Sequence, residues 1–129
     1  MQRFAESSAK LVEVPYYEFF DKVTSFEGSF RGCTSLERVV GIDFSSATTT
    51  ANCFLNCTKL TDITVYGEIP VSISFAQSPL TRESALSVLN HLKDISGTGT
   101  TLTATFSPTT KELLEDEDKA IATQKGWTV

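Results

Sequence analysis

The sequence predicts an α/β fold in which a short solenoid of about three leucine-rich-repeat-like turns is closed by a C-terminal helix-strand-helix-strand cap. The solenoid is expected over residues 1–80 and the capping segment over residues 81–129, packed together as one domain. Two observations predict this arrangement. Residues 20–39 align without a gap on residues 44–63, and residues 81–129 alternate between helical and strand-like apolar spacing.

The repeat places phenylalanine, cysteine and leucine at fixed intervals. The shared positions are Phe30, Cys33 and Leu36 in one copy and Phe54, Cys57 and Leu60 in the next. A β-branched residue follows in each copy, at Val39 and Ile63. A period of about 24 residues with Leu-x-x-Val/Ile is typical of leucine-rich repeats, in which like residues of successive turns lie on one another. We therefore expect Phe30 to stack on Phe54 and Cys33 to lie on Cys57.

Two weaker copies flank this pair. Phe4 and the Leu11-x-x-Val14 spacing are expected to end an earlier copy. Phe75 and the Ser-Pro-Leu of residues 78–80 are expected to form a degenerate last copy of the repeat. In this copy, Gln77 occupies the position expected for cysteine. The repeat is predicted to fade toward residue 80.

The repeat and the chain ending resemble a known family. The pattern Phe-x-Gly/Asn-Cys-Thr-x-Leu-x-x-Val/Ile at residues 30–39 and 54–63 resembles BspA-type leucine-rich repeat proteins of gut and oral bacteria and their phages. Residues 78–129 resemble the segment that closes many such proteins, and the ending at residues 119–129 is the most specific part. The resemblance covers nearly the whole chain. It implies surface-displayed or host-contact binding proteins that adhere to proteins or cells, without catalytic residues.

The capping segment is predicted from helix and strand signals in order. A helix starts at the N-cap Thr81, carries apolar residues at spacings of three and four, and stops at Gly97. A half-buried strand follows at residues 101–106, then a short helical turn opened by Ser107-Pro108. A second helix at residues 116–125 and a final strand at residues 127–129 complete the segment, with Trp127 as a plug beneath that strand.

Composition and charge exclude several classes of protein. With 40% hydrophobic residues and nine phenylalanines, the chain should bury a core. Its formal charge of −5 argues against a nucleic-acid partner. Residues 1–14 lack a signal peptide, and no apolar run reaches the roughly 20 residues of a membrane-spanning helix, so no membrane insertion is expected. A cell-surface, extracellular or virion-associated location would then require that the chain belong to a longer exported protein.

No cofactor and no metal site are predicted. Cys33, Cys53, Cys57 and the single His91 lack the paired spacing of a zinc site. Buried free thiols, a disulfide between adjacent copies or between Cys53 and Cys57, and Cys/His chemistry all remain open at this point. The acidic run at residues 115–118 lacks the alternating ligands of a calcium loop and is interpreted as the start of a helix.

The sequence favours a non-enzymatic protein-binding or adhesion module, of a surface-displayed or phage-borne host-contact protein. It carries no Gly-x-Ser-x-Gly, no P-loop and no Gly-x-Gly-x-x-Gly, and we predict no catalytic residue. Alternation along the predicted strands selects the candidate contacts for a protein or cell-surface ligand: Glu13, Arg38, Val40, Asp62, Thr64 and Tyr66.

Two other functions remain open. One is a structural cap or assembly module of a virion or larger solenoid, and the other is an intracellular phage inhibitor that acts by protein-protein contact. The first turn has no cap of its own in the sequence. Further chain, a partner or a second copy of the same chain is therefore expected to cover it.

Overall fold

The computed structural model describes residues 5–129, so Phe4 and the start of the predicted first copy lie outside the described residues. A 3-10 helix at Glu18–Lys22 follows the first strand. The strands and α-helices of the described residues are β1 (Glu13–Val14), β2 (Arg38–Asp43), β3 (Asp62–Tyr66), β4 (Ile73–Phe75), α1 (Arg82–Asn90), β5 (Leu102–Phe106), α2 (Pro108–Leu113), α3 (Asp116–Gln124) and β6 (Trp127–Thr128).

The predicted solenoid is wrong. The described strands form two separate three-stranded parallel sheets, ordered β1-β2-β3 and β4-β5-β6, in a small mixed α/β fold. The first sheet ends at β3 because α1 lies along that edge. Ser84 Oγ accepts a hydrogen bond from the Ile63 N–H and Ser87 Oγ accepts one from the Val65 N–H, each at 3.0 Å. β4 instead pairs with β5, which comes from the predicted capping segment.

Within the first sheet, the strands pair at the spacing of the repeat. Val14, Val39 and Ile63 are direct neighbours across the three strands, and all three side chains are buried. The register between β2 and β3 then shifts, because Gly41 adopts a φ of +66° and makes a bulge between Val39 and Ile42. Beyond the bulge, Ile42 returns to the core beside Val65.

A column of phenylalanine rings joins the two sheets. The ring centroids of Phe30 and Phe54 lie 5.7 Å apart, which confirms the expected stacking. The column continues from Phe54 to Phe75 at 4.9 Å and from Phe75 to Phe106 at 6.2 Å. These four rings are buried and nearly parallel, so one apolar core runs beneath both sheets.

The cysteine positions of the repeat are buried beside this column. The Cys33 thiol donates to the Ala5 carbonyl and the Cys57 thiol to the Phe30 carbonyl, each at 3.0 Å. The next copy places Ser78, rather than Gln77, at this position, because the Ser78 N–H bonds the carbonyl of a phenylalanine three residues earlier, as the cysteine N–H groups do. Gln77 is exposed.

The predicted first helix is shorter than expected. Thr81 is the N-cap, as predicted, and its hydroxyl accepts from the Ser84 N–H at 3.1 Å. The helix ends at Asn90 rather than near Gly97, because Leu92 makes a parallel bridge with Ile69 instead of continuing the helix. The apolar spacing therefore continues into extended chain that packs on the same core.

The last third of the chain follows the predicted order of elements. α3 begins at Asp116 within the acidic run, and its Asp118 forms two 2.9 Å hydrogen bonds with Arg82 at the start of α1. Trp127 is buried, as predicted, and its indole N–H donates to the Lys93 carbonyl at 2.8 Å. The division of the chain at residue 80 stays a prediction.

Candidate functional site

All six residues predicted to contact a ligand lie on the exposed face of β1-β2-β3, which we call the outer sheet face. Burial alternates along β3 and along β2 up to Val40, so exposed residues there lie on the face opposite the core. The six exposed residues are Glu13, Arg38, Val40, Asp62, Thr64 and Tyr66. The rigid pairing of the three strands therefore brings these residues onto one surface.

A charged row crosses this face. Glu13, Arg38 and Asp62 are direct neighbours in the register of the three strands. Arg38 Nε donates to Glu13 Oε1 at 2.9 Å, and Arg38 Nη1 lies 3.8 Å from Glu37 Oε1. The hydrogen bond from Arg38 to Glu13 raises the pKa of the guanidinium above its usual value, and the charges of Glu13, Glu37 and Asp62 raise it further. With Glu37 beside it, the row thus holds its one arginine among three carboxylates.

At the other end of β3 from the charged row, two tyrosines form what we call the tyrosine pair. The ring centroids of Tyr16 and Tyr66 are 5.7 Å apart, with the ring planes tilted by 60°. Tyr16 is 49% exposed and Tyr66 is 47% exposed. Val40, at 37% exposed, adds an apolar side chain to the same face. Large apolar surface is therefore held open to solvent on a rigid sheet.

The bulge at Gly41 makes room for the tyrosine pair. A Cβ atom at Gly41 would lie 2.6 Å from Tyr66 Cε2 and 2.9 Å from Tyr16 Cδ1, closer than real contacts allow. Gly41 is buried beneath the two rings. The missing side chain, together with a positive φ that favours glycine, lets both rings lie close to the backbone of Gly41.

Strand alternation predicted Tyr66 on this face, but not Tyr16 or Gly41. Tyr16 follows β1 in a segment without regular structure, so strand alternation could not place it on the face. Gly41 did carry a signal, because a glycine inside a strand pattern often marks a bulge.

The outer sheet face continues onto α1. Asp62 and Thr64 of β3 line a cavity of about 410 Å³ together with Glu83 and Ser87 of α1. Glu83 and Asp62 thus place two carboxylates on the α1 side of the face, away from Glu13 on β1.

A second apolar surface lies at the N-terminal edge of the first sheet. A cavity of about 330 Å³ is lined by residues that include Ala5, Val14 and Phe30. The exposed side chains of Tyr17 and Phe19 also line it. This is the end expected to be covered by further chain, a partner or a second copy, and that expectation stays a prediction.

The cysteines and His91 do not form a site in the described residues. All three thiols are free and buried. Burial raises the pKa of each thiol, for Cys57 to about 12, so they are protonated and weakly nucleophilic at neutral pH. His91 follows α1 and its Nδ1 lies 2.7 Å from the Ser87 carbonyl oxygen. No group of three metal-ligating side chains occurs in residues 5–129.

No protein-family model, curated protein or solved structure matches this chain significantly. The likeness to BspA-type proteins therefore rests on the repeat and ending motifs alone. Across the described part of the chain, no helix combines the length and apolar character that a membrane span requires.

Proposed function

We propose that this chain is a non-enzymatic protein-binding module whose contact surface is the outer sheet face. The observation that carries the proposal is the tyrosine pair, in which two half-exposed rings are held 5.7 Å apart above the buried Gly41. Tyrosine is enriched at protein interfaces, because its ring supplies large contact area and loses few rotamers on binding.

The surroundings of the tyrosine pair also suit a protein interface. Interfaces combine a central apolar contact with a polar rim. Val40 extends the apolar centre, and the Arg38–Glu13 ion pair lies in the charged row on the same face. Arg38 is held by its bond to Glu13, and the two rings are held by contact with each other above Gly41. This order before a partner arrives lowers the entropy lost on binding.

The family resemblance supports an adhesive setting for this binding. BspA-type proteins are surface-displayed or host-contact proteins, so the proposed partner is a protein on a host cell or matrix. In that setting the chain would work at a cell surface or on a virion, as part of a longer exported protein.

The test is a selection of binding peptides from a random display library on the immobilised chain, followed by affinity measurements on variants. We expect the selected peptides to lose about tenfold or more in affinity for the Tyr16→Ala/Tyr66→Ala variant, since interface tyrosines are frequent hot spots. The matched control is Leu113→Ala, which removes a similarly exposed apolar side chain from α2. Selected peptides that bind the double tyrosine variant and Leu113→Ala equally well would refute the proposal.

Gly41→Ala tests the geometry of the pair rather than its chemistry. The new Cβ must push both rings away, so the selected peptides should bind more weakly although both tyrosines remain. Gly97→Ala is the matched control, because Gly97 has a similar positive φ of +77° and no atom within 4 Å of the added Cβ. Both variants carry the backbone cost, of roughly 1–2 kcal/mol, but Gly97→Ala should bind normally.

A further inference from the structure

We propose that the segment bound by the outer sheet face is basic, and that it places a lysine or arginine side chain over the tyrosine pair. This inference rests on the proposed function and names the chemistry of its partner. It follows from the carboxylates that lie on the same face as the two rings, taken strand by strand.

The charged row has an excess of negative charge. Arg38 faces Glu13 on one side and Asp62 on the other, and Glu37 also lies within 4 Å of the guanidinium. The hydrogen bond of Arg38 goes to Glu13 on β1 and not to Asp62 on β3. The row as a whole therefore carries two more carboxylates than cations.

A fourth carboxylate lies beside the tyrosine pair itself. Asp43 is the direct neighbour of Tyr66 in the register of β2 and β3. Asp43 Oδ1 accepts a 2.8 Å hydrogen bond from the Ser45 N–H and a second bond from the Ser45 hydroxyl. These local bonds fix the carboxylate at the position next to Tyr66 in the sheet without neutralising its charge.

The fifth carboxylate, Glu83, extends the acidic border across the cavity between β3 and α1. Asp62 and Glu83 line this cavity with the hydroxyls of Thr64 and Ser87. Hydroxyls and carboxylates accept hydrogen bonds from ammonium and guanidinium groups. The side of the face between β3 and α1 can thus receive a second cationic side chain.

Aromatic rings and carboxylates favour the same kind of ligand. A cation above a tyrosine ring is attracted by the negative face of the ring, and flanking carboxylates add Coulomb attraction. An acidic segment would meet Asp43 next to Tyr66 and the surplus carboxylates of the charged row on the same face. The formal charge of −5 on the whole chain would also speed the approach of a basic partner.

The direct test measures binding of a fluorescent ten-residue oligolysine peptide by anisotropy at low salt, with oligoglutamate of equal length as the negative probe. We expect oligolysine to bind and oligoglutamate not to bind. Tyr66→Leu should weaken oligolysine binding about three- to fivefold, whereas Tyr66→Phe, which keeps the aromatic ring, should stay within about twofold of the wild type. Equal loss in both variants, or oligolysine that does not bind, would overturn the inference.

A charge control separates this surface from general attraction between an acidic protein and a polycation. Asp62→Asn should weaken oligolysine binding by about two- to threefold. Glu112→Gln removes the same charge from an exposed position on α2 and should have no effect. Equal weakening by both variants would show general attraction and refute the inference.

The library selection distinguishes failure of this inference from failure of the proposed function. Selected peptides that require the tyrosine pair but are neutral or acidic would refute the basic partner and leave the binding surface in place. Selected peptides that ignore the tyrosine pair would refute both.

Discussion

The two edges of the first sheet end in different ways. At the β3 edge, α1 lies against the strand and its serines accept the outward N–H groups of Ile63 and Val65. A helix thereby takes the place that another strand would fill. At the β1 edge, the strand is only two residues long and is followed by Pro15, which has no N–H to offer.

The difference shows two ways in which the edge of a sheet can end. Side chains of a neighbouring helix can accept the N–H groups of the edge strand, or the edge strand can be very short. The β3 edge is satisfied within the chain, so further strand addition there would displace α1. The β1 edge remains beside a cavity and exposed aromatic side chains. Predictions about stability therefore concern the β3 side and the core, whereas those about partners concern β1 and the outer sheet face.

The largest effect on stability is expected from the phenylalanine column that connects the two sides. Phe54 is buried between Phe30 and Phe75, at 5.7 and 4.9 Å. Phe54→Ala should lower the free energy of unfolding by about 3–5 kcal/mol, because it removes a buried ring and leaves a cavity. Urea denaturation followed by circular dichroism measures the change.

Two further variants keep this prediction testable if Phe54→Ala fails to fold. Phe54→Leu retains much of the volume and should cost about 1–3 kcal/mol. Phe19→Ala, at an exposed position of the β1 edge, should cost less than about 1 kcal/mol. Equal losses at positions 54 and 19 would mean that the column does not dominate the core.

The next largest effect is expected at the β3 edge. Ser84 is buried, and Ser84→Ala leaves the Ile63 N–H without its acceptor and removes the partner of the Thr81 hydroxyl. An unsatisfied buried donor costs about 1–3 kcal/mol. Amide hydrogen exchange should show the Ile63 N–H among the groups that lose most protection.

Ser87→Ala is the matched control, because it removes the similar bond that the Val65 N–H donates to the less buried Ser87. Its cost should be smaller than that of Ser84→Ala. If Ile63 kept full protection in Ser84→Ala, the serine would not be what closes the edge.

This edge also explains why the sequence predicted the pairing within the repeat but not the fold. The repeat spacing predicts Val39 beside Ile63 and Phe30 on Phe54, and both are confirmed. Ser84 and Ser87 appear in the sequence as ordinary polar positions of a helix. Only their contact with β3 shows that the helix replaces the next strand, and such long-range pairing has no local signal.

The candidate site was predictable to the extent that it follows strand alternation. Glu13, Arg38 and Asp62 lie in one row because each occupies the same position of its strand. Tyr16 reaches the face from outside a strand, and the space for it exists because Gly41 lacks a side chain. Both depend on tertiary packing rather than on periodicity.

The smallest expected effect, and the one that depends on pH, concerns how α1 is held at the β3 edge. Arg82 at the start of α1 makes two 2.9 Å hydrogen bonds to Asp118 of α3, whose residue is only 4% exposed. The bond from Arg82 lowers the pKa of Asp118, as does the bond from the Glu115 N–H. Protonation of Asp118 would weaken this contact between the helices.

Because the pKa of Asp118 is lower in the folded than in the unfolded chain, its stabilising effect is present above the unfolded value of about 3.9. That effect is lost as the pH falls through the lower folded value. Asp118→Asn should therefore be less stable than the wild type at pH 7, and the difference between the two should shrink toward pH 2. Urea unfolding at several pH values measures this difference.

Asp116→Asn is the control, since Asp116 is exposed in the same first turn of α3. Its difference from the wild type should be smaller and should change less below pH 4. If Asp118→Asn kept a constant difference from the wild type down to pH 2, the charge of Asp118 would not be what anchors α1. If the charge of Asp118 does anchor α1, its protonation at low pH releases α1 and uncovers the β3 edge. The protection of the Ile63 amide should then decrease more steeply with falling pH in the wild type than in Asp118→Asn.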